Sequence, residues 1–349
     1  MKVSSFSVVL YACLFFACDS KKPETNQPHW IADGQMPATS VGKDGHISLT
    51  FGSGDSILYM YSSDRGASFS TPELVGVVPG LFSSHTRGPQ IAESENSLCI
   101  IACNREGNIF SYYRDGDNKW KEGGHVNDLD GMAKEGLMAM DGRPGLLFAA
   151  WLDLRTGHNQ IEGCVSTNGG RSWEKNISVY QSPDSGVCEC CKPSVAVNKT
   201  AVAVMFRNHL HGNRDMYYAE SGDGRVFSAA TKLGNGNWPL DGCPMDGGKL
   251  VFNHNRENTV WRREGRIYAC EPGSPETEIG EGRDCSMAIA DDKPVFSWVN
   301  KGEITCLLPG NRKIQPGKGT LPILTPMDNH RVLCTWENDR KIYSMILPL

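Results

Sequence analysis

Three cysteines fall within four positions in the stretch Gly186-Val187-Cys188-Glu189-Cys190-Cys191-Lys192-Pro193-Ser194, in a chain whose other cysteines are scattered. Thiols at this spacing support three kinds of chemistry. Cys188, Cys190 or Cys191 can form a disulfide with the distant Cys243 or Cys285, whereas the vicinal pair Cys190 and Cys191 cannot join each other without strain. As thiolates they can hold a soft or borderline ion such as Cu(I) or Zn(II). A single thiol beside Lys192 or an arginine can also act as a nucleophile. The choice depends on which elements carry these residues and what those elements bring near them.

The N-terminal residues bear on the redox setting. Lys2 is followed by a mostly apolar run from Phe6 to Ala17. That is the plan of an export signal, and it is too short for a comfortable membrane span. Ala17-Cys18 resembles a bacterial lipobox, so residues 1–17 are expected to be removed and Cys18 to carry a lipid; an ordinary signal cut near Ser20 is the alternative. Residues 18–29 are polar and read as a tether. The expectation is a monomeric, membrane-anchored lipoprotein of the bacterial cell envelope, in the periplasm or on the cell surface. There cysteines tend to pair. Of 13 cysteines, Cys13 would be lost with the signal and Cys18 lipidated, which leaves an odd number. An odd number requires an unpaired thiol or a thiolate site. The net charge is −5 with both signs mixed and no basic stripe, which argues against a nucleic-acid partner.

Helical periodicity is nearly absent. Short β-rich runs such as HISLTF, GLLFAAWL, AVAVMF and RVLCTW recur between Gly, Asn and Asp turns, the pattern of an all-β protein. A larger period is superimposed. A short opening motif appears at Pro37 to Val41, Pro89 to Ala92, Gly136 to Ala139 and Pro193 to Ala196, with weaker copies at Gly247, Ser286 and Pro322. Units of this length match the four-stranded blades of a β-propeller, whose small sheets bury their faces against one another. Seven openings predict seven blades rather than six, in one domain over residues 30–349. The three strands after Pro322 are expected to be completed by the segment near Trp30, closing the ring.

A second motif follows the third strand of some units. Ser62-Ser63-Asp64-Arg65-Gly66-Ala67-Ser68-Phe69 fits S-x-D-x-G-x-[ST]-[WF]; residues Ser166 to Trp173 fit it with Asn168 for Asp, and Ser221 to Phe227 is one residue short. Asp115 to Trp120 reads as a decayed copy. Side-chain bonds to nearby amides and a positive-φ glycine suit such a hairpin. These are the residues of the Asp box, or BNR repeat, so the chain resembles the sialidase-like propellers over about residues 30–349. The boxes are read as structural turns on the face opposite the usual site.

In such a fold the link from an outer strand to the next inner strand lies near the axis on the functional face. That rule gathers Cys188, Cys190, Cys191, Cys243 and Cys285 at one end of the channel, with His85, Arg87, Glu135, Asp246 and Asp284 around them. Loops between second and third strands should add Arg155, Arg207, Arg214 and Asn255-Arg256. Arginine binds a carboxylate through two parallel hydrogen bonds, so this rim suits an acidic glycan. The resemblance implies an exo-acting sialidase-type glycosidase, with three arginines on the sugar carboxylate, an aspartate acid/base and a tyrosine nucleophile activated by glutamate. Arg87, Arg155, Arg207, Arg214, Asp246 and Asp284 are the candidates for the arginine and acid roles. Arg87, in Thr86-Arg87-Gly88-Pro89, is only loosely like the family's Arg-Ile-Pro element and stands in the second unit rather than the first. No Tyr-Glu pair can be chosen; Tyr217 and Tyr218 lie on a strand. The alternative is a non-catalytic module that binds a glycan or a metal through Cys188, Cys190, Cys191, Cys243 and Cys285. Cys99, Cys103, Cys164, Cys270, Cys306 and Cys334 fall inside strand patterns and are expected to be small buried hydrophobes.

Overall fold

The computed structural model describes residues 26–42, 44–95, 97–184 and 186–349. The expected signal sequence and the first part of the expected tether lie outside them. Among the described residues no helix is long and apolar enough to cross a membrane.

Twenty-eight strands, numbered β1 to β28 in chain order, form seven four-stranded antiparallel sheets. The inner strands are β2 (Gln35–Val41), β6 (Gln90–Ser94), β10 (Met138–Arg143), β14 (Ser194–Val197), β18 (Gly248–Asn253), β22 (Arg283–Ala290) and β26 (Thr320–Asp328). Each begins at or beside one of the seven opening motifs, so the ring has seven blades. In six blades the chain runs outward through four consecutive strands. The seventh takes its outermost strand from the other end of the chain. There β1 (His29–Asp33) pairs with β28 (Lys341–Pro348), with Trp30 opposite Tyr343.

Second strands read as continuous apolar runs because both of their faces are covered. Every residue of β11 (Leu146–Asp153) is buried, as is every residue of β15 (Val202–Arg207). The apolar clusters lie between blades rather than within them. Phe148 and Val165 of the third blade pack with Val204 and Phe206 of the fourth. Blades that share cores in this way cannot bury their faces alone. Cys99, Cys103, Cys164, Cys306 and Cys334 are buried within these layers, and Cys270 is half-buried.

The three Asp-box-like hairpins share one bonding pattern, and each joins the third and fourth strands of its blade. Asp64 accepts from the Ser68 amide at 2.9 Å and its hydroxyl at 2.7 Å, and the Ser62 hydroxyl accepts from the Gly66 amide at 2.8 Å. At the second hairpin Asn168 accepts from the Ser172 amide and donates its Nδ2 to the Ser172 hydroxyl, and the Ser166 hydroxyl accepts from the Gly170 amide. Asp223 and Ser221 repeat part of it at the third. Asp115 has lost the pattern and pairs instead with Lys121 and Arg171.

The links at the inner-strand starts are unequal. Residues 78–89, 126–137, 181–193 and 233–247 form four long links in succession, whereas the other three are single glycines, Gly34, Gly282 and Gly319. Gly282 lies at φ 147°, and a Cβ there would press on the Val299 carbonyl oxygen, so these crossings leave no room for a side chain. The end of the ring where inner strands begin therefore has long links on one side and single-residue crossings on the other, and the cysteine-rich link is among the long ones. One expected rim segment is misplaced. β19 starts at Arg256, so Asn255-Arg256 sits in the hairpin between first and second strands, on the opposite face.

Candidate functional site

The link 181–193 is tied to both blades it joins, the third through Asn159 and the fourth through Arg207. The Val187 amide donates to Asn159 O at 2.8 Å and the Cys188 amide to Arg207 O at 2.9 Å. A turn from Cys188 to Cys191 then folds three sulfurs together. Their separations are 3.3 Å for Cys188 to Cys191, 3.6 Å for Cys188 to Cys190 and 4.0 Å for Cys190 to Cys191. All three side chains are buried. Cys190 also forms a disulfide with Cys243 in the next link, 233–247. The pairing across neighbouring blades is one of those expected from the sequence. Cys285 is not in this group; it lies in the wall of the central channel.

Two arginines face the sulfurs. Arg214 Nη1 donates to Cys188 Sγ at 3.1 Å and to Glu189 Oε2 at 3.1 Å. Arg207 is fully buried. It donates to the carbonyl oxygens of Asp246, Arg214 and Arg262, and its guanidinium lies 5.1 Å from the Trp238 ring centre. The hydrogen bond shared with Cys191 outweighs the cost of burial at Cys188, and with Arg207 and Arg214 it brings that thiol down to about 7. Burial drives Cys191 in the opposite direction.

The predicted arginines do not converge on one ligand. Arg87 bonds the Glu135 carbonyl and carboxylate and covers Phe82. Arg155 is held by Asp153 at 2.9 Å, Asp128 at 3.2 Å and Glu162 at 3.6 Å. Arg207 serves backbone carbonyls below the surface, and Arg214 serves the sulfurs. Each has a partner of its own, so no three-arginine clamp is assembled.

Asp246 and Asp284 do come together. The Asp284 amide donates to Asp246 Oδ2 at 3.0 Å. Both line a chamber of about 180 Å³ at the channel mouth, with Thr86, Gln90, Lys192 and Cys285. Burial, reinforced by the Asp284 charge, pushes Asp246 up to about 7. Burial also raises Asp284, against the pull of Arg283. Lys192 Nζ donates to Gln90 Oε1 at 2.8 Å, and burial beside Lys249 lowers it to about 7. From the sequence, Lys192 stands out only as a cation beside the thiols and Gln90 only within an inner-strand opening, neither with a role toward a ligand. The signal was available, since both flank inner-strand openings that the propeller rule places at the axis. Asp246 and Lys192, both brought near neutrality, can pass protons to and from a bound molecule, with Asp284 as a second, raised carboxyl beside them.

Below the chamber the channel widens to about 620 Å³, lined by Asp44, Asp141, Arg143 and Lys249 among others. Tyr217 and Tyr218 lie on β16 (Met216–Ser221), and neither lines the chamber.

No family model matches the chain, and no curated protein matches it. Solved structures do. A Burkholderia pseudomallei lectin, BP39L, superposes with a TM-score of 0.65 at 10% identity, over 92% of this chain and 97% of that one. The GH93 α-L-arabinofuranosidase of Fusarium graminearum, solved with arabinobiose, gives 0.57 at 12% identity over 92% and 97%. The α-L-arabinanase of Penicillium chrysogenum, also with arabinobiose, gives 0.55 at 12% identity over 93% and 96%. At these identities the likeness is one of fold: this chain is similar to structures named as a lectin, an α-L-arabinofuranosidase and an α-L-arabinanase.

Proposed function

We propose that this chain is a carbohydrate-directed propeller that takes the terminal unit of an acidic glycan into the mouth of its channel. The observation that carries the reading is the chamber in which Asp246, Asp284 and Lys192 share about 180 Å³. That volume suits a single sugar ring and is smaller than the pockets that take drug-sized ligands. Lys192 supplies the charge for a sugar carboxylate. Asp246, with a pKa near neutrality, acts as the proton donor to a glycosidic oxygen, and Asp284 is the second carboxyl. The sialidase-like part of the reading is limited to the hairpin motifs and the ring, because the arginines are engaged separately. The lectin and the arabinofuranosidase solved with arabinobiose support a sugar ligand. The Cys18 lipobox supports placement on a bacterial envelope membrane, as a monomer tethered by lipid, and the Cys190–Cys243 disulfide suits that oxidising setting.

The test is a panel of oligosaccharides ending in uronic acids, nonulosonic acids or neutral sugars, followed by calorimetry and by release of the terminal unit. Acid-terminated members should bind and neutral ones should not. Lys192→Met should weaken binding, and Asp246→Asn should stop release while sparing binding. Equal binding of acidic and neutral ends, or binding untouched by Lys192→Met and Asp284→Asn, would overturn the reading.

A further inference from the structure

We infer that the sulfurs of Cys188, Cys190 and Cys191 form a three-coordinate site for a soft monovalent d¹⁰ ion, Cu(I), which opens when the Cys190–Cys243 disulfide is reduced. The inference is independent of the glycan reading, since it uses the link residues and not the chamber.

Geometry is the first support. A triangle with sides of 3.3, 3.6 and 4.0 Å has a centre about 2.1 Å from each sulfur. A metal–thiolate bond is about 2.3 Å, as known for zinc. An ion therefore fits just off the plane of the sulfurs with little movement of the turn. Among the described residues these three form the one group of metal-capable side chains with all ligand atoms within 4.8 Å. No histidine or carboxylate joins it, and an all-sulfur set selects soft ions.

Charge is the second support. Three thiolates and one Cu(I) carry a net charge of −2. Arg207 and Arg214 supply two positive charges within the same buried region, and Arg214 already donates to Cys188 Sγ. Glu189, which also pairs with Arg214, keeps about half of its side chain in solvent. A buried ionic group of this size needs such compensation. A divalent ion would leave the same set with a net positive charge.

The disulfide makes the site conditional. A dithiol reductant passes two electrons to the Cys190–Cys243 bond, which becomes two thiols, while the dithiol closes to its own disulfide. Cu(I) then displaces the protons of Cys188, Cys190 and Cys191. Cys243 is exposed and is free to leave.

The test titrates Cu(I) into the full chain under argon, against a chromophoric Cu(I) chelator of known affinity. The oxidised chain should take up no stoichiometric copper. After reduction by a phosphine and its removal, it should take up one Cu(I) per chain with a thiolate-to-copper absorption band. Cys243→Ser, a change at an exposed position, should take up one Cu(I) without any reduction. Cys188→Ser and Cys191→Ser should lose uptake in that background, with melting curves as the control for folding. Arg214→Met should weaken it about 10–100-fold, the usual effect of losing an outer-shell partner. Stoichiometric uptake by the oxidised chain, or uptake that survives Cys188→Ser, overturns the inference. So does Zn(II) that outcompetes Cu(I) and is lost in Cys243→Ser, which marks a four-sulfur zinc site instead.

Discussion

Glu162 shows how this fold treats a carboxyl that it buries. It lies on β12 (Gln160–Ser166), its side chain is 3% exposed, and Arg155 Nη1 stands 3.6 Å away. Arg155 is also claimed by Asp153 and Asp128, so its charge is divided. Burial therefore prevails, and Glu162 is raised to about 7 despite Arg155. A carboxyl held above its unfolded value binds its proton more tightly in the folded chain. Its favourable contribution is complete below about pH 4.5 and declines as pH rises through about 7. The loss is bounded at about 3 kcal/mol, because each tenfold change in proton affinity corresponds to about 1.4 kcal/mol. Glu162→Gln keeps the shape and removes the titration. In urea melts at pH 5 and pH 8, the variant should gain on the native chain by on the order of 1–3 kcal/mol at the higher pH. An equal difference at both pH values would show that Arg155 already neutralises the carboxylate.

At the scale of elements, the two faces of the ring are built by different kinds of connection. The Asp-box-like hairpins are short and locally bonded, whereas the long links depend on contacts between blades. Asp64→Ala removes acceptors for the Ser68 amide and hydroxyl and for the Ser62 hydroxyl. The group is largely solvated, so the expected cost is about 1 kcal/mol, at the modest end for hydrogen bonds. Denaturant midpoints should register it while glycan and copper titrations stay unchanged, because the hairpin is on the far face. A change in either titration would mean that the two faces are coupled. The same contrast decides what was legible in the sequence. Inner-strand openings and hairpins have local signals, and they gave seven blades and their order. The axis rule also located the cysteine-rich link and Asp246 with Asp284. Arg207 was misread as a rim residue because it follows an apolar run and precedes polar Asn208. It is the last residue of a strand buried throughout, and its hydrogen bonds to Asp246, Arg214 and Arg262 come from distant segments. The partner of Cys190 was not fixed by spacing, since Cys243 and Cys285 stand at the openings of the next two blades. The single-glycine links were open to reading, as Gly34, Gly282 and Gly319 each stand directly before an inner strand.

The ring as a whole stays closed through one strand from the start of the chain. Six blades are complete in sequence order, and the seventh depends on β1 to cover the outer edge of β28. The pairing joins His29 to Ser344, Trp30 to Tyr343, Ala32 to Ile342 and Asp33 to Lys341. Ala32 and Ile342 are buried together with Leu49, Phe51 and Met60 of the first blade. Closure therefore fastens the last blade and also seals its junction with the first. A chain that begins at Gly34 loses this strand. It leaves the long β28 with a row of unpaired backbone groups, an edge that can recruit another copy. Such a chain should melt earlier than one that begins at Asn26 and should gain mass with concentration in light scattering. The deletion removes nothing from the chamber or the sulfur cluster. Added peptide spanning residues 26–33 should restore the monomer by refilling the edge. Identical melting of the two chains, both monomeric, would show that contacts between blades suffice to hold the ring, with β1 only a cover. A melting difference without self-association would leave closure as the source of stability and show that β28 is protected by other means.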